Sequence, residues 1–354
     1  MTKFDHGHYV PILKLKRAEK AALALIEPVL APHVTPLFEL VEMPQDGDWG
    51  RHLGNAFRSL PECTRTYARC FLDLREISSL GVARATQVFE RAAAARIPFT
   101  PVTGVSRSVD VGPALAHRRL GLALRVTRAE YEDGGLAGRL RNFVRDHRLR
   151  PPDVDLIVDL GSVDDLVLPG LMALADAVMA EVPDHGSWRN LILAACAFPL
   201  SMAVVDRHSF ALIERTDWIG WREHLYKRRA AIARLPTYSD CAIQHPRGVE
   251  GFDPVRMQVS ATIRYTQDET WLLVKGEGTR LTPPSVQFPR LAKRLAYGDL
   301  RVHFMGAAHC KGCKGTQDAA DGAPRLGSAE AWRRLGTAHH ISTVVRSIRA
   351  LGRT

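Results

Sequence analysis

Over its first 250 residues the chain repeats one pattern. A short apolar run rich in Val, Ile, Leu and Phe is followed by a longer stretch whose apolar positions recur at helical spacing. YVPILKLK (9–16) predicts a strand and RAEKAALALIEPVLA a helix. VTPLFELVE (34–42) leads into a helix through WGRHLGNAFRSL, and YARCFLDLRE (67–76) into GVARATQVFERAAAAR. PFTPVTGV (98–105), LGLALRVTR (120–128), VDLIVDLGS (154–162) and NLILAACAFP (190–199) open four further units, the last with a helix around DWIGWREHLYKRRAAIA. YSDCAIQH (238–245) supplies an eighth strand. Nearly continuous apolar strands alternating with helices predict a parallel sheet covered on its outer face. Eight of them, at a spacing of ~25–40 residues, predict an α/β fold of the (β/α)8 TIM-like barrel type. An open parallel α/β sheet is the alternative, but neither GxGxxG nor GxxxxGK[ST] occurs.

The last hundred residues break the rhythm. SATIRYT (260–266), the turn QDET and WLLVKGEG (271–278) predict a β-hairpin. A helix around QFPRLAKRLAYG follows, then a strand-like LRVHFMG, a mobile Gly/Ala/Asp-rich loop over 311–328, and a terminal helix over 328–351 with Ser328 as its cap. The expected organisation is a barrel over 1–255 and an α+β appendage over 256–354.

Composition narrows the class. Of 354 residues, 46% are hydrophobic and 24% charged, the balance of a globule with a sizeable core, which excludes disordered and collagen-like chains. No apolar run approaches the ~18 residues of a membrane span, and the N-terminus lacks signal-peptide character, so the expected location is cytoplasmic. The net charge of +10 favours polyanionic partners, yet no dense basic run or aromatic stripe marks a nucleic-acid groove. Lysine is absent between Lys20 and Lys227, while Lys14 and Lys16 fall in one strand. An exposed ammonium exchanges readily for guanidinium, whereas a deprotonatable amine or a tight phosphate contact does not.

Candidate chemistry follows from where charge enters the strands. Each opens apolar and ends charged: Lys14, Glu39 and Glu42, Asp73 and Arg75, Arg125 and Arg128, and Asp159. In a (β/α)8 barrel those ends surround one mouth, where ligands collect. Lys14, Glu39, Asp73 and Asp159 are the candidate acid/base residues, and Arg75 and Arg125 the candidate grips for a small anionic, phosphate- or nucleotide-like ligand. A ring of salt bridges without turnover is the competing reading. GxSxG and HExxH are absent. A second candidate is Cys310 and Cys313 with His339 downstream, whose CxxC spacing suits a metal or a redox pair. Trp218 and Trp221, three apart, share a helix face and predict core packing.

YVPILKLKRAE, TPLFEL, FLDLRE, VDLIVDLGS, AFPLS, RTDWIGW, YSDC, the ATIRYT–WLLVKG hairpin and the terminal W…HHIS together resemble the phage Beta protein family, in order and over nearly the whole chain. The resemblance implies a phage–host conflict setting and no defined reaction. It touches Lys14, Glu39, Asp73, Asp159, Pro199, Ser201, Arg215, Asp240, Arg264, Tyr265 and His339–His340, and so adds Asp240 and Arg264 to the candidate ligand contacts. The alternative function is a non-catalytic component of a phage-defence assembly, acting through a protein or nucleic-acid partner.

Overall fold

Eight of the apolar runs pair side by side as parallel strands and close on themselves. They are β1 (Tyr9–Lys14), β2 (Leu37–Glu39), β3 (Cys70–Asp73), β4 (Phe99–Thr103), β5 (Leu122–Thr127), β6 (Val154–Ser162), β7 (Asn190–Cys196) and β9 (Thr237–Asp240). The barrel order is β1-β2-β3-β4-β5-β6-β7-β9, with β9 pairing back to β1, so the chain is a closed α/β barrel and not an open sheet. The computed structural model describes residues 3–43, 47–248 and 259–352. The expected 255/256 boundary lies outside the described residues.

The chain divides into two compact units. One holds Met1–Lys16, Pro32–Cys196 and Thr216–Asp240; the other holds Arg17–Ala31, Ala197–Arg215 and Cys241–Thr354. In the first, helices such as Val82–Ala94, Leu136–Asp146 and Leu168–Ala180 cover the barrel wall. Local chemistry sets their starts. Asp48 accepts from Arg51 N at 2.6 Å, and Thr127 and Glu130 form a reciprocal capping box. Trp218 and Trp221 stack on each other at 5.7 Å, meet Tyr238 edge-on and tilted, and are buried, as their spacing predicts. Their segment is a short helix, Thr216–Ile219, continued by a π-helical turn, Gly220–Tyr226.

Strand register decides what fills the lumen. Lys14 lies opposite Glu39, Glu39 opposite Asp73, Asp73 opposite Val102, and Val102 opposite Ala123. Because alternate side chains point to opposite faces, these positions and those two residues away share the inner face. The same alternation stacks Arg69, the residue before β3, with Phe71 and Asp73 on β3, and Asp155, Ile157 and Asp159 along β6. Apolar side chains thus separate two polar layers. The layer at the N-terminal ends is centred on Asp155, fully buried, which accepts from Arg69 at 2.6 Å, Asn190 at 2.6 Å, and both Nε (2.8 Å) and Nη2 (2.6 Å) of Arg189. Arg69 also donates to Thr100 at 2.9 Å and lies 4.8 Å over the Phe71 ring.

The second unit contains an antiparallel sheet of order β10-β11-β8, formed by β10 (Ser260–Thr266), β11 (Thr270–Gly278) and β8 (Phe210–Glu214). The hairpin is as expected, but β8 was not legible. Its alternation is inverted, with exposed Phe210 and Leu212, and it sits within the expected seventh unit, whose strand ends at Cys196. The helices Pro284–Tyr297, Lys311–Ala320 and Ala329–Leu351 pack around Ile263, Tyr265, Leu272, Phe288, Leu295 and Trp332. Ser328 caps the last of these through Ala331 N at 3.1 Å. Two expectations fail. LRVHFMG contains a 3-10 turn at Arg301–His303 and no strand, and residues 311–320 form a helix where glycine content suggested a mobile loop. There, burial of Cys313, Thr316 and Ala319 overrides the helix-weakening glycines.

Removing the Asp155 charge leaves Arg69 and Arg189 buried without their counter-ion. Asp155→Asn should lower unfolding free energy by about 3–5 kcal/mol, read as a shifted urea midpoint. A midpoint within error of wild type would show that the layer contributes nothing.

Candidate functional site

At the C-terminal ends of the strands the charged residues converge. Arg125 on β5 is 1% exposed, and its guanidinium is shared among three carboxylates. Nη1 meets Glu39 Oε1 and Asp73 Oδ2, both at 2.7 Å, while Nε and Nη2 reach Asp159 Oδ2 at 3.0 and 2.8 Å. Register explains the grouping: Glu39 and Asp73 stand opposite one another on β2 and β3, and Asp159 is the inward residue near the end of β6.

Further cations close the ring. Lys14 contacts Glu39 Oε2 at 2.6 Å and pairs with Glu76, from the 3-10 turn Arg75–Leu80. Arg75 bridges Glu39 Oε1 and Asp159 Oδ2, each at 3.2 Å, and its side chain is 31% exposed. Arg107, on the loop after β4, donates to Asp73 Oδ1 at 2.6 Å and lies 3.6 Å from Asp110, which also accepts from Thr103. Gly104 permits this approach, since a Cβ there would stand 2.9 Å from Arg125 O and 3.1 Å from Arg107 Nε. Backbone amides add donors: Arg75 N to Asp73 Oδ1 and Gly161 N to Asp159 Oδ1, both at 2.9 Å.

The electrostatics follow from this packing. Burial alone would raise the Glu39 carboxyl, but the Arg125 guanidinium, then Lys14 and Arg75, hold it at about 2. Asp73, equally buried, is held below the usual carboxylate range by Arg107 and Arg125. Burial opposes the charge on Lys14, yet Glu39 and Glu76 raise its pKa, so the ammonium stays protonated. Glu76 and Asp110 move the other way, because burial outweighs the help of Lys14 and Arg107.

Six of the residues singled out from sequence therefore meet: Lys14, Glu39, Asp73, Arg75, Arg125 and Asp159. Asp240 does not join them. Alternation along β9 puts it with Tyr238 on the outer face of the wall, where it accepts the Tyr9 and Tyr238 hydroxyls, the latter at 2.9 Å. Arg264 belongs to the second unit, donates to Ile243 O at 2.7 Å and stacks 5.1 Å from the Phe198 ring; burial lowers its pKa to about 9. Sequence reasoning missed Glu76, Arg107 and Asp110, which lie in the segments after β3 and β4. The adjacency of Glu76 to Arg75 was the available signal.

Beside the ring, a cleft of about 520 Å³ is lined by Ser106, Arg107, Ser108, Arg139, Asn142 and His147, among others. Arg139 comes from the helix Leu136–Asp146, and its Nε and Nη2 find no hydrogen-bond partner among the described residues.

A model of the Beta protein family matches residues 9–346. No curated protein matches. Among solved structures, a mandelate racemase/muconate lactonizing protein from Herpetosiphon aurantiacus is similar at 11% identity and a TM-score of 0.33, covering 76% of this chain. The chain spans 63% of the length of that structure. The barrel assignment rests on strand order. No helix among the described residues is long and apolar enough to cross a membrane.

The depressed Glu39 and Asp73 carboxyls fix the sign of an acid response. Their contribution is fully present above the unfolded carboxylate pKa, near 4, and is lost as pH falls towards 2. Glu39 alone, moved from 4.5 to about 2, accounts for up to about 3 kcal/mol. Chemical unfolding at graded pH should show stability dropping across that window, with a smaller drop in Glu39→Gln. Equal slopes in both proteins would contradict the assignment.

Proposed function

Since this chain belongs to the Beta protein family, we propose that it binds a small anionic, phosphate- or nucleotide-like ligand at the C-terminal face of its barrel. In this reading the ligand enters the cleft between the loop after β4 and the helix Leu136–Asp146. The observation that carries it is Arg139, a half-buried cation lining a polar cleft, whose Nη1 lies 3.9 Å from Asp133 and whose Nε and Nη2, shielded from solvent, have no hydrogen-bond partner among the described residues. A half-exposed guanidinium with only a long contact to Asp133 keeps donor capacity that an anion in the cleft can use. Ser106, Ser108, Asn142 and His147 supply further donors around the same space, which Asp146 also lines. Arg75, the most exposed cation of the neighbouring ring and held by two 3.2 Å contacts, extends the positive rim.

Arg125, Glu39, Asp73 and Asp159 serve this site as its frame. Arg125 spends its donors on carboxylates, and Asp73 in turn fixes Arg107, which faces the cleft. Lys14, held protonated between Glu39 and Glu76, is a poor base or Schiff-base amine and acts electrostatically. The phage–host conflict setting that the family resemblance implies is part of the proposal.

A second reading, a non-catalytic component acting through a protein partner, has its own support. β8 occupies an end of its sheet and exposes Phe210 and Leu212 by 42% and 48%. An edge strand with apolar outward side chains is a template for strand addition.

Calorimetric titration with inorganic phosphate, pyrophosphate and nucleoside diphosphates and triphosphates separates the two. The first reading expects saturable binding that Arg139→Ala weakens at least about tenfold, the loss of ~1.4 kcal/mol or more of charge-assisted hydrogen bonding. Absence of binding by every anion at millimolar concentration, or unchanged affinity in Arg139→Ala, would overturn it.

A further inference from the structure

We propose that the second unit contains a structural zinc-type metal site made by Cys310, Cys313, His339 and His309. None of these residues belongs to the barrel mouth, and the inference stands independently of the anion site.

The geometry converges on one point. Cys310 is the N-cap of the helix Lys311–Ala320, and Cys313 lies in its first turn, so both sulfurs share the helix start. His339, midway along Ala329–Leu351, presents Nδ1 to them at 3.5 Å from Cys310 Sγ and 3.3 Å from Cys313 Sγ. A tetrahedral ion bound at ~2.3 Å from sulfur and ~2.0 Å from nitrogen places sulfur and nitrogen roughly 3.5 Å apart. The observed separations are those of ligands around such an ion. His309 precedes Cys310, its ring centre is 5.6 Å from that of His339, and the ligand atoms of His309, Cys310 and His339 all lie within 4.8 Å of one another. His309, whose Nε2 lies 3.0 Å from Thr343 Oγ1, completes the proposed set as its fourth donor.

The surroundings set each group up to give electrons. His339 Nε2 lies 2.7 Å from Thr266 O; a carbonyl only accepts, so the ring proton sits on Nε2 and Nδ1 offers its lone pair to the sulfurs. Tyr265 Oη accepts from Met305 N at 2.9 Å and lies 3.1 Å from Cys313 Sγ, within reach of its own hydroxyl hydrogen. Cys313 N donates to Cys310 Sγ at 3.3 Å. Cys310 Sγ thus receives a backbone donor and Cys313 Sγ has the Tyr265 hydroxyl beside it, contacts that metal-bound thiolates can keep. Two thiolates and two neutral imidazoles cancel the charge of a divalent ion, as a dry interior requires.

The backbone is built for this approach. A Cβ on Gly312 would stand 2.5 Å from Leu335 O and 2.9 Å from His339 Cβ. Glycine is what lets the CxxC turn lie against the helix that carries His339. Burial separates the metal from a redox use of the same motif. Cys310, Cys313 and His339 are 3%, 0% and 1% exposed, which leaves no path for a disulfide-exchange partner and suits a closed, four-ligand site.

The test uses the full chain, purified without chelators and gel-filtered, with zinc measured by elemental mass spectrometry. About one zinc per chain is expected, falling below about a tenth in Cys310→Ser/Cys313→Ser. Because that variant can fail to fold, wild type is also stripped under reducing conditions and reloaded with Co²⁺. Intense visible d–d bands and a thiolate-to-cobalt charge-transfer band are expected. His309→Ala should keep those bands and weaken metal affinity at least about tenfold; unchanged affinity would remove His309 from the set. Substoichiometric zinc together with no tetrahedral cobalt spectrum, or a Cys310–Cys313 disulfide in the purified wild type, would overturn the proposal.

Discussion

One buried guanidinium organises the barrel mouth. Arg125 meets Glu39, Asp73 and Asp159 from β2, β3 and β6 in a place that excludes water, so each partner keeps the others from being stranded as an unpaired charge. Breaking such a cluster by removing one member is far costlier than never having built it. It therefore works as a specificity constraint: only the register that sets Lys14 beside Glu39 and Glu39 beside Asp73 satisfies all the charges at once. A one-residue slip in any of these strands would turn its carboxylate into the helix layer. The Asp155 cluster at the other end applies the same logic.

The same constraint limits the chemistry. Groups held ionised by tight pairing are poor proton shuttles, since their pKa values lie far from neutrality. The ring is suited to fixing position and field. In the proposed reading, ligand contacts fall to what the ring supports, namely Arg75 at its rim and Arg107 beside the cleft that Arg139 lines. Charge density alone would have pointed to Arg125 as the ligand grip, whereas its exposure of 1% makes it the least available cation of the set.

Much of this was legible in the sequence because period-2 burial and charge at strand ends are both local signals. The eight strands, the mouth and six of its residues follow from those two patterns. Asp240 was misplaced because family resemblance carries no information about strand parity; alternation from Ser239 turns it outward. Arg107 and Asp110 escaped notice because they sit on the segments after β4, where no periodicity distinguishes a buried ion from a solvated one. β8 was hidden for the opposite reason, with Phe210 and Leu212 exposed where a core pattern was sought. The helix Lys311–Ala320 reads as a loop by composition, and only packing against its neighbours stabilises it.

The central claim is that Glu39 and Asp73 are ionised and locked by Arg125. The most direct measurement is a side-chain carboxyl NMR titration of Glu39 and Asp73 between neutral pH and about 2, in wild type and Arg125→Lys. The account predicts that neither wild-type carboxyl titrates above about pH 3, and that the Lys variant, which lacks the planar fork, moves both upward. Ordinary titration of Glu39 near 4.5 in wild type, unchanged by the substitution, would contradict it.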